Sequence, residues 1–286
     1  MTRLEAAPVK ATLFQTLEEQ LHTFRDQYQR KPKLAVVLVG DDPASVIYTE
    51  QKGKVAISLG MEHMSVKLPS NVFKQELQDK IRSLNEDLTV DGILIQRPLP
   101  KEFSEEEVVY WVDPKKDVDA FHPENTGRLQ LGLPTFQPCT PAGVMEILKH
   151  YQVQVEGKVA CVVGRSSIVG KPMATLLLQA NATVIHTHSR TKNLKKHTQQ
   201  ADILVVAAGK PGLISKDHLK KGAVVIDVGI HRKKDGKLCG DVDFQSAAEV
   251  AGGITPVPGG VGPMTIALLM RNTLRAALLR ETGLWR

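Results

Sequence analysis

KVACVVGRSSIVGKP, residues 158–172, combines a strand of the buried type, a glycine turn and the start of a helix. Arg165 and Ser166 lie inside the turn. Glycine lets the backbone approach a ligand closely, and a helix N-terminus presents free N–H groups with a positive dipole. The stretch therefore predicts a site for a dinucleotide phosphate. Gly164 and Gly170 stand six apart rather than in the usual G-x-G-x-x-G order, so a tight turn without a ligand is the alternative.

The sequence after this turn favours a ligand-binding sheet. Three further apolar runs follow: TVIHTH at 183–188, DILVVAAG at 202–209 and AVVIDVG at 223–229. Their spacing leaves room for crossover connections, which is typical of parallel strands. The second half of the chain therefore predicts a Rossmann-like parallel sheet.

The first half of the chain shows the same alternation of strands and helices. LAVVLVG at 34–40 and DGILIQ at 91–96 are predicted strands. Apolar residues at helical spacing precede each of them: Leu13, Leu17, Leu21 and Phe24, and then Phe73, Leu77, Ile81 and Leu84. We therefore predict an α/β protein with two α/β domains flanking a cleft.

The domain boundaries are predicted from breaks in this pattern. Residues 132–141, GLPTFQPCTP, hold three prolines and almost no charge. We expect a first domain over 1–138 and a Rossmann-like domain over 139–263. The segment GGITPVPGGVGPMT at 252–265 is predicted to be a rigid loop. Its glycines and prolines exclude a helix or a central strand around 256–263. A helix over 264–286 is expected to return to the first domain.

Composition excludes several classes of protein. The 286 residues include three cysteines, too few and too scattered for a disulfide framework, and no apolar run approaches membrane-spanning length. The net charge of +6 suggests anionic partners, but the basic clusters, Lys195–Lys196 and Arg232–Lys234, have no interleaved aromatic residues. We therefore expect a cytoplasmic protein that binds neither membrane nor nucleic acid.

Tyr48 and Lys52 form a candidate catalytic pair. They stand four apart in a predicted helix, so both side chains leave the same face. A phenol can orient or polarise a reacting group, and a desolvated ammonium loses proton affinity toward neutrality. The alternative at this spacing is an aromatic residue at the edge of the core beside a solvated lysine.

Several separate motifs resemble one family, the bifunctional methylenetetrahydrofolate dehydrogenases/methenyltetrahydrofolate cyclohydrolases. The resemblance runs in order over nearly the whole chain. The motifs are S-x-x-Y-x-x-x-K from Ser45 to Lys52, DGILIQRPLP at 91–100, KDVDAF at 116–121, PCTP at 138–141, GRSSIVGKP at 164–172, DVGI at 227–230, GDVDF at 240–244 and TPVPGGVGPMT at 255–265.

The resemblance implies an activity and a set of substrate-binding residues. It implies oxidation of 5,10-methylenetetrahydrofolate and then hydrolysis of the methenyl product to 10-formyltetrahydrofolate. The folate is expected in the cleft, with its one-carbon unit near Lys52, Tyr48 and Gln96 as the catalytic residues, Tyr48 also binding substrate. Asp119 is expected to hold the pterin, and the loop of Pro258, Gly259 and Gly260 to close against the substrate.

The cofactor is predicted to be NADP. A strand end that holds the ribose of NAD usually carries Asp or Glu, but TVIHTHSR ends in Ser189 and Arg190. Arg165 with these two residues is expected to contact the 2′-phosphate of NADP. By the resemblance, Gly164, Ser166 and Ile230 complete the cofactor site.

Two residues depart from the usual family pattern. Arg97 follows the predicted catalytic glutamine where leucine is usual, and Ala120 follows Asp119 where glycine is usual. Side chains alternate along a strand, so we expect Arg97 to face opposite to Gln96, as a solvent-facing or interdomain arginine. The alternative is that Arg97 points into the cleft, where it would pair with the glutamate tail of the folate or alter the proton affinity of Lys52.

No metal is expected. His186 and His188 alternate on a strand without a Cys, Asp or Glu at ligand spacing. Asp241 and Asp243 are predicted to form turns and hydrogen bonds rather than a metal pair.

Two other functions stay open from the sequence. The chain is either a dehydrogenase without hydrolytic activity or a nucleotide-binding protein of the same fold without turnover. The presence of Tyr48, Lys52, Gln96 and Asp119 disfavours the second. The resemblance also implies a homodimer joined through the nucleotide-binding domain.

Overall fold

The computed structural model describes residues 1–233 and 235–284. Lys234 of the second basic cluster and the last two residues of the predicted helix 264–286 lie outside the described residues. The chain divides into two compact units. We call residues 1–12 and 138–268 the six-stranded unit, and residues 13–137 with the chain from 269 onward the three-stranded unit.

Most strands are followed by a helix along the chain, as is typical of the α/β class. In chain order they are β1 (Thr2–Arg3), α1 (Ala6–Tyr28), β2 (Lys33–Val39), α2 (Pro43–Ser58), β3 (Glu62–Leu68), α3 (Lys74–Glu86), β4 (Gly92–Ile95), α4 (Glu105–Val108), α5 (Pro123–Gln130), α6 (Cys139–His150), β5 (Val159–Val163), α7 (Gly170–Gln179), β6 (Thr183–Thr187), α8 (Leu194–Thr198), β7 (Ile203–Val206), β8 (Val224–Asp227), β9 (His231–Arg232), β10 (Leu238–Cys239), α9 (Phe244–Ala248), β11 (Gly253–Ile254) and α10 (Gly262–Thr282).

The three-stranded unit is built on a parallel sheet of order β3-β2-β4. From α3, Leu77, Ile81 and Leu84 are buried in its core, as their spacing predicts. Phe73 precedes the helix and is 80% exposed, so it is not part of the stripe. A parallel bridge from Ile93 to Asp117 continues the pairing beside β4.

The six-stranded unit carries a parallel sheet of order β1-β11-β8-β7-β5-β6. The chain passes from β5 to β6 on one side and then to β7 on the other side of β5. This reversal is the arrangement at which open parallel sheets bind ligands, outside the carboxyl ends of the strands. The predicted α/β class with a Rossmann-like parallel sheet is confirmed.

The first residues and the glycine–proline segment pair with each other in the six-stranded unit. The N–H of Thr2 donates to Gly252 O (2.7 Å) and that of Leu4 to Ile254 O (2.9 Å). Part of the predicted loop 252–265 is thus β11, a strand between β1 and β8, and α10 begins already at Gly262. Strands of two residues are too short to show an alternating pattern, so periodicity could not reveal them.

Within residues 1–233 and 235–284, no helix combines the length and the apolar character needed to cross a membrane.

Candidate functional site

Helix α2 presents the predicted catalytic pair at the carboxyl end of β4. The helix begins at Pro43 because the Asp42 side chain accepts a hydrogen bond from Ser45 N (2.8 Å) and caps the first turn. Lys52 Nζ donates to Gln96 Oε1 at 2.7 Å, although the two residues are 44 apart in sequence. Gln96 lies one residue after β4 and is only 8% exposed. Its amide Nε2 donates to Arg97 O (2.6 Å), which orients Oε1 toward the lysine.

Tyr48 lies one helical turn before Lys52 and is 42% exposed, while Lys52 is half-buried. The buried stripe of α2 is Ser45, Thr49, Gly53 and Ala56, next to this pair. A Cβ on Gly53 would lie 2.8 Å from the ring of His63, so glycine allows the helix to pack closely on β3. The helix therefore holds Lys52 against the sheet and leaves the phenol accessible.

Asp119 follows a segment that is fixed along the edge of β4. Ile93 N donates to Lys116 O (2.7 Å), and Asn272 Nδ2 on α10 donates to Val118 O (2.8 Å). Gly92 and Val118 are so close that a Cβ on the glycine would lie 2.6 Å from the valine. Asp119 comes two residues after the parallel bridge between Ile93 and Asp117, and Gln96 comes one residue after the end of β4. Both residues therefore lie at the carboxyl-end edge of this sheet.

Two buried ionisable groups support this segment. Lys116 Nζ donates to the carbonyls of Leu84, Asn85 and Asp87 at 3.0, 2.6 and 2.8 Å, at the end of α3. Burial lowers the pKa of Lys116, and the ammonium satisfies carbonyls that the helix leaves unpaired. Asp117 Oδ2 accepts from His122 N (2.8 Å) and from Asn125 Nδ2 (2.9 Å).

Burial raises the pKa of Asp117 from 3.8 to about 6. The two hydrogen bonds favour its ionised form, but they do not offset the loss of water. No role for Lys116 or Asp117 is evident from the sequence alone. Their only sequence signal is a pair of charges directly before Val118 in the KDVDAF motif.

Arg97 is not a solvent-facing residue. Its side chain is 23% exposed, Nη1 pairs with Glu105 Oε2 at 2.9 Å, and the guanidinium lies 4.8 Å from the centre of the Phe121 ring. Arg97 thereby connects the end of β4 to the loop that carries Asp119. Ala120 in that loop has φ 62°, a left-handed conformation that costs about 1–2 kcal/mol for residues other than glycine. This explains why glycine suits the position.

The glycine turn after β5 brings three pieces of backbone into contact. Gly164 has φ 121°, and a Cβ there would lie 2.0 Å from Ala207 O. A Cβ on Gly170 would lie 2.1 Å from Gly164 O, so no larger residue fits at either position. Ser166 Oγ accepts from the N–H groups of Val169 (3.2 Å) and Gly170 (3.3 Å), which lie directly before and at the first residue of α7.

The remaining predicted cofactor residues follow neighbouring strands at the same edge. Ser189 and Arg190 follow β6, Ile230 follows β8, and Arg165 lies in the turn after β5; all four are exposed. Since carboxyl ends of parallel strands meet at one edge, these residues surround the point where the strand order reverses. Exposed basic and hydroxyl groups without a carboxylate at the end of β6 fit a dinucleotide that carries an extra phosphate.

His186 and His188, which were not expected to bind a metal, make hydrogen bonds with nearby backbone groups. His186 Nε2 lies 2.8 Å from Gly164 O, and His188 Nδ1 accepts from Arg190 N at 3.1 Å. The first contact lies at the turn after β5 and the second in the turn after β6.

Asp241 is buried and Asp243 is exposed, and both accept hydrogen bonds in the six-stranded unit. Asp241 accepts hydrogen bonds from Ala208 N, Gly209 N and His231 Nε2, and Asp243 caps α9 through Ser246 N. The predicted hydrogen-bonding role of both residues is confirmed. Across the described ranges 1–233 and 235–284, no three His, Cys, Asp or Glu residues are grouped to hold a metal ion.

The loop of Pro258, Gly259 and Gly260 belongs to the six-stranded unit. Gly259 has φ 101° and its carbonyl accepts from Ala6 N at 2.8 Å. A Cβ on Gly260 would lie 2.5 Å from Pro256 O. The loop is therefore held by backbone contacts, while Pro258 and Gly259 stay exposed.

Comparison with known proteins agrees with this geometry. Residues 4–119 match the family described as tetrahydrofolate dehydrogenase/cyclohydrolase, catalytic domain, and residues 138–281 match its NAD(P)-binding domain. The bifunctional protein FolD of Acetivibrio thermocellus is 56% identical over 249 residues, which cover 87% of each chain.

Solved structures show the same relationship. The bifunctional FolD methylenetetrahydrofolate dehydrogenase/cyclohydrolase from Campylobacter jejuni is 46% identical with a TM-score of 0.95, covering 98% of this chain and 99% of that one. The methylenetetrahydrofolate dehydrogenase-cyclohydrolase of Trypanosoma brucei, complexed with NADP and an inhibitor, is 36% identical with a TM-score of 0.93 and 99% coverage of both chains. The chain therefore belongs to the tetrahydrofolate dehydrogenase/cyclohydrolase family.

Proposed function

We propose that the protein is a bifunctional enzyme that oxidises 5,10-methylenetetrahydrofolate with NADP and then hydrolyses the 5,10-methenyl product to 10-formyltetrahydrofolate. The observation that carries the proposal is the 2.7 Å contact between Lys52 Nζ and Gln96 Oε1, beside Tyr48 and at the same sheet edge as Asp119. Family membership supplies the substrate class.

Asp119 and Tyr48 bind and orient the folate. A carboxylate accepts two N–H donors and therefore suits the amino and ring N–H groups of a pterin. The fixed backbone of residues 116–118 keeps this carboxylate in place before substrate arrives, which reduces the entropy lost on binding. The phenol of Tyr48 is accessible for contact with the one-carbon unit.

In the oxidative step, a hydride leaves the methylene bridge and a methenyl cation remains. When bound, NADP supplies the electron-accepting nicotinamide for this hydride. The residues of the six-stranded unit that would hold it are Gly164, Arg165, Ser166, Ser189, Arg190 and Ile230.

In the hydrolytic step, water adds to the cationic carbon, a proton leaves, and the ring opens to the 10-formyl product. Lys52 is the group assigned to this proton movement. Gln96 holds the ammonium in one direction, since its Oε1 accepts from Nζ while its own amide is fixed on Arg97 O. Tyr48 lies beside the lysine on the same helix face.

Lys52→Met tests the hydrolytic assignment. We expect the absorbance of methenyltetrahydrofolate to stay constant instead of decaying, while the far-UV circular dichroism spectrum of the protein is unchanged. Lys54→Met, at an exposed lysine on the same helix, is the matched control and should retain full activity. A full cyclohydrolase rate in the Lys52 variant would remove this residue from the mechanism, and a wild type without hydrolysis would favour the dehydrogenase-only alternative.

Arg165→Ala tests the cofactor assignment. The KM for NADP should rise far more than the KM for NAD, because only NADP carries the 2′-phosphate that this residue is proposed to contact. Lys149→Ala, at an exposed basic residue on α6, should change neither KM. Equal effects of the Arg165 substitution on both cofactors would contradict the assignment.

We further propose a cytoplasmic homodimer joined through the six-stranded unit, without nucleic-acid or membrane partners. The family resemblance supports the dimer, and the three free cysteines fit a reducing compartment. Light scattering after size-exclusion chromatography should give twice the 31.4 kDa mass of the chain. A monomeric mass would contradict the dimer.

A further inference from the structure

We propose that Asp241 is a positioning residue for the cofactor: its buried carboxylate holds the loops after β7 and β8 in the conformation that receives NADP. This inference rests on the proposed function, because it takes NADP as the ligand of this sheet edge. It adds a residue that touches neither cofactor nor substrate and acts through two loops.

One carboxylate contacts the segments that follow both β7 and β8. Asp241 Oδ2 accepts from Ala208 N (2.6 Å) and from Gly209 N (2.9 Å), and Oδ1 lies 2.7 Å from His231 Nε2. Ala208 and Gly209 begin the loop after β7, and His231 directly follows Ile230 after β8. The side chain of Asp241 is 0% exposed, so water does not replace these contacts.

A second buried carboxylate fixes the first. Asp227, the last residue of β8, accepts from Gly229 N and Asp241 N at Oδ1 and from Val242 N at Oδ2, each at 3.0 Å. A Cβ on Gly240 would lie 1.8 Å from Asp227 Oδ2, and one on Gly229 would lie 2.5 Å from Asp241 Cγ. The packing of Gly229 and Gly240 against the two aspartates therefore restricts the position of the Asp241 carboxylate.

Residues of both loops are exposed to solvent. Ala208 and Gly209 are exposed, and Ile230 is 52% exposed, although their backbone is tied to buried groups. Burying two carboxylates is costly and is weak evidence for a role in stability alone. Their position under the exposed residues at the ligand-binding edge of the sheet indicates pre-organisation of a binding surface.

Asp241→Asn tests the proposal with little change in shape. The amide has no negative charge, so its oxygen accepts more weakly from Ala208 N and Gly209 N, and its NH₂ group keeps the contact to His231 only by forcing the imidazole into the other tautomer. The Kd for NADP, measured by calorimetry without folate, should rise at least tenfold. The cyclohydrolase rate and the KM for folate should stay within twofold of wild type, because hydrolysis needs no nicotinamide.

Asp243→Asn is the matched control. This exposed carboxylate lies two residues away and caps α9, where asparagine caps equally well. It should leave the Kd for NADP unchanged. His231→Gln and His231→Leu form a second pair that keeps Asp241; the glutamine variant, which retains a donor, should bind NADP more tightly than the leucine variant.

The outcomes separate the two hypotheses. NADP binding by Asp241→Asn within twofold of wild type would overturn the positioning role. Equal loss of NADP binding and cyclohydrolase activity would also overturn it, since that pattern indicates general damage to the structure. If Asp241→Asn does not fold, the His231 pair decides, and equal affinities of its two variants would overturn the proposal. A wild-type protein that does not bind NADP would instead refute the proposed cofactor.

Discussion

The buried carboxyl group of Asp117 makes the stability of the three-stranded unit depend on pH. Burial is the main cause of its raised pKa, from 3.8 to about 6, so the folded protein holds this proton more tightly than the unfolded chain does. The stabilising contribution is therefore fully present below about pH 3.8 and is lost as the pH rises through about 6.

The size of this effect follows from the two pKa values. At about 1.36 kcal/mol per pKa unit, the difference between 3.8 and about 6 corresponds to about 3 kcal/mol. Asp117→Asn removes the titration and keeps the shape. At pH 4 the unfolded carboxyl is already more than half ionised, so between pH 4 and pH 7 we expect wild type to lose about 2 kcal/mol more unfolding free energy than the Asn variant.

Urea unfolding at pH 4, 5, 6 and 7 measures this difference. A Trp285→Phe background leaves Trp111, which lies in the three-stranded unit, as the fluorescent reporter. Asp79→Asn is the control, because solvent hydrates this exposed carboxylate in both the folded and unfolded protein. A difference between wild type and Asp117→Asn that stays constant within about 1 kcal/mol over this pH range would refute the reasoning, since burial would then not dominate the titration.

Two further substitutions test the support of the Asp119 loop. Lys116→Met leaves three carbonyls at the end of α3 without their charged donor and should lower the unfolding free energy by about 3 kcal/mol. The control Lys115→Met, at the exposed neighbouring lysine, should change the unfolding free energy by less than about 0.5 kcal/mol. Equal effects of the two substitutions would contradict the assigned contacts. Arg97→Leu removes the Glu105 pair and the Phe121 contact and should cost about 1–2 kcal/mol in urea unfolding. Arg97→Lys should recover only part of this loss, because an ammonium lacks the planar face that stacks on the ring; full recovery would show that charge alone matters.

Local patterns in the sequence were sufficient for most of the architecture. The apolar runs that became β2, β4, β5, β7 and β8 are continuous because these strands of the parallel sheets are largely buried. The glycine turn at 164–170 was also predictable from the sequence, because only glycine fits where three backbone segments are in contact. β1 and β11 were missed because two-residue strands have no periodicity.

The site was only partly predictable for a related reason. Tyr48 and Lys52 share a face through helix geometry, which sequence spacing reports directly. Gln96, which accepts from Lys52, lies 44 residues away, and Ala208 and Gly209 lie 33 and 32 residues from Asp241, at separations that carry no local signal. Arg97 was misplaced because strand alternation predicts a direction for its side chain but not the ring and carboxylate that meet it there.

By itself, the sequence determined the α/β class, the family and the residue types available for chemistry, because strand patterns, glycine turns and motifs are properties of short segments. Only the tertiary structure decided which of those groups touch: Lys52 with Gln96, Lys116 with the end of α3, and Asp241 with the loops after β7 and β8. The physical reason is that burial and hydrogen bonding depend on what the folded chain brings together, and a side chain's neighbours in space are set by the packing of whole elements.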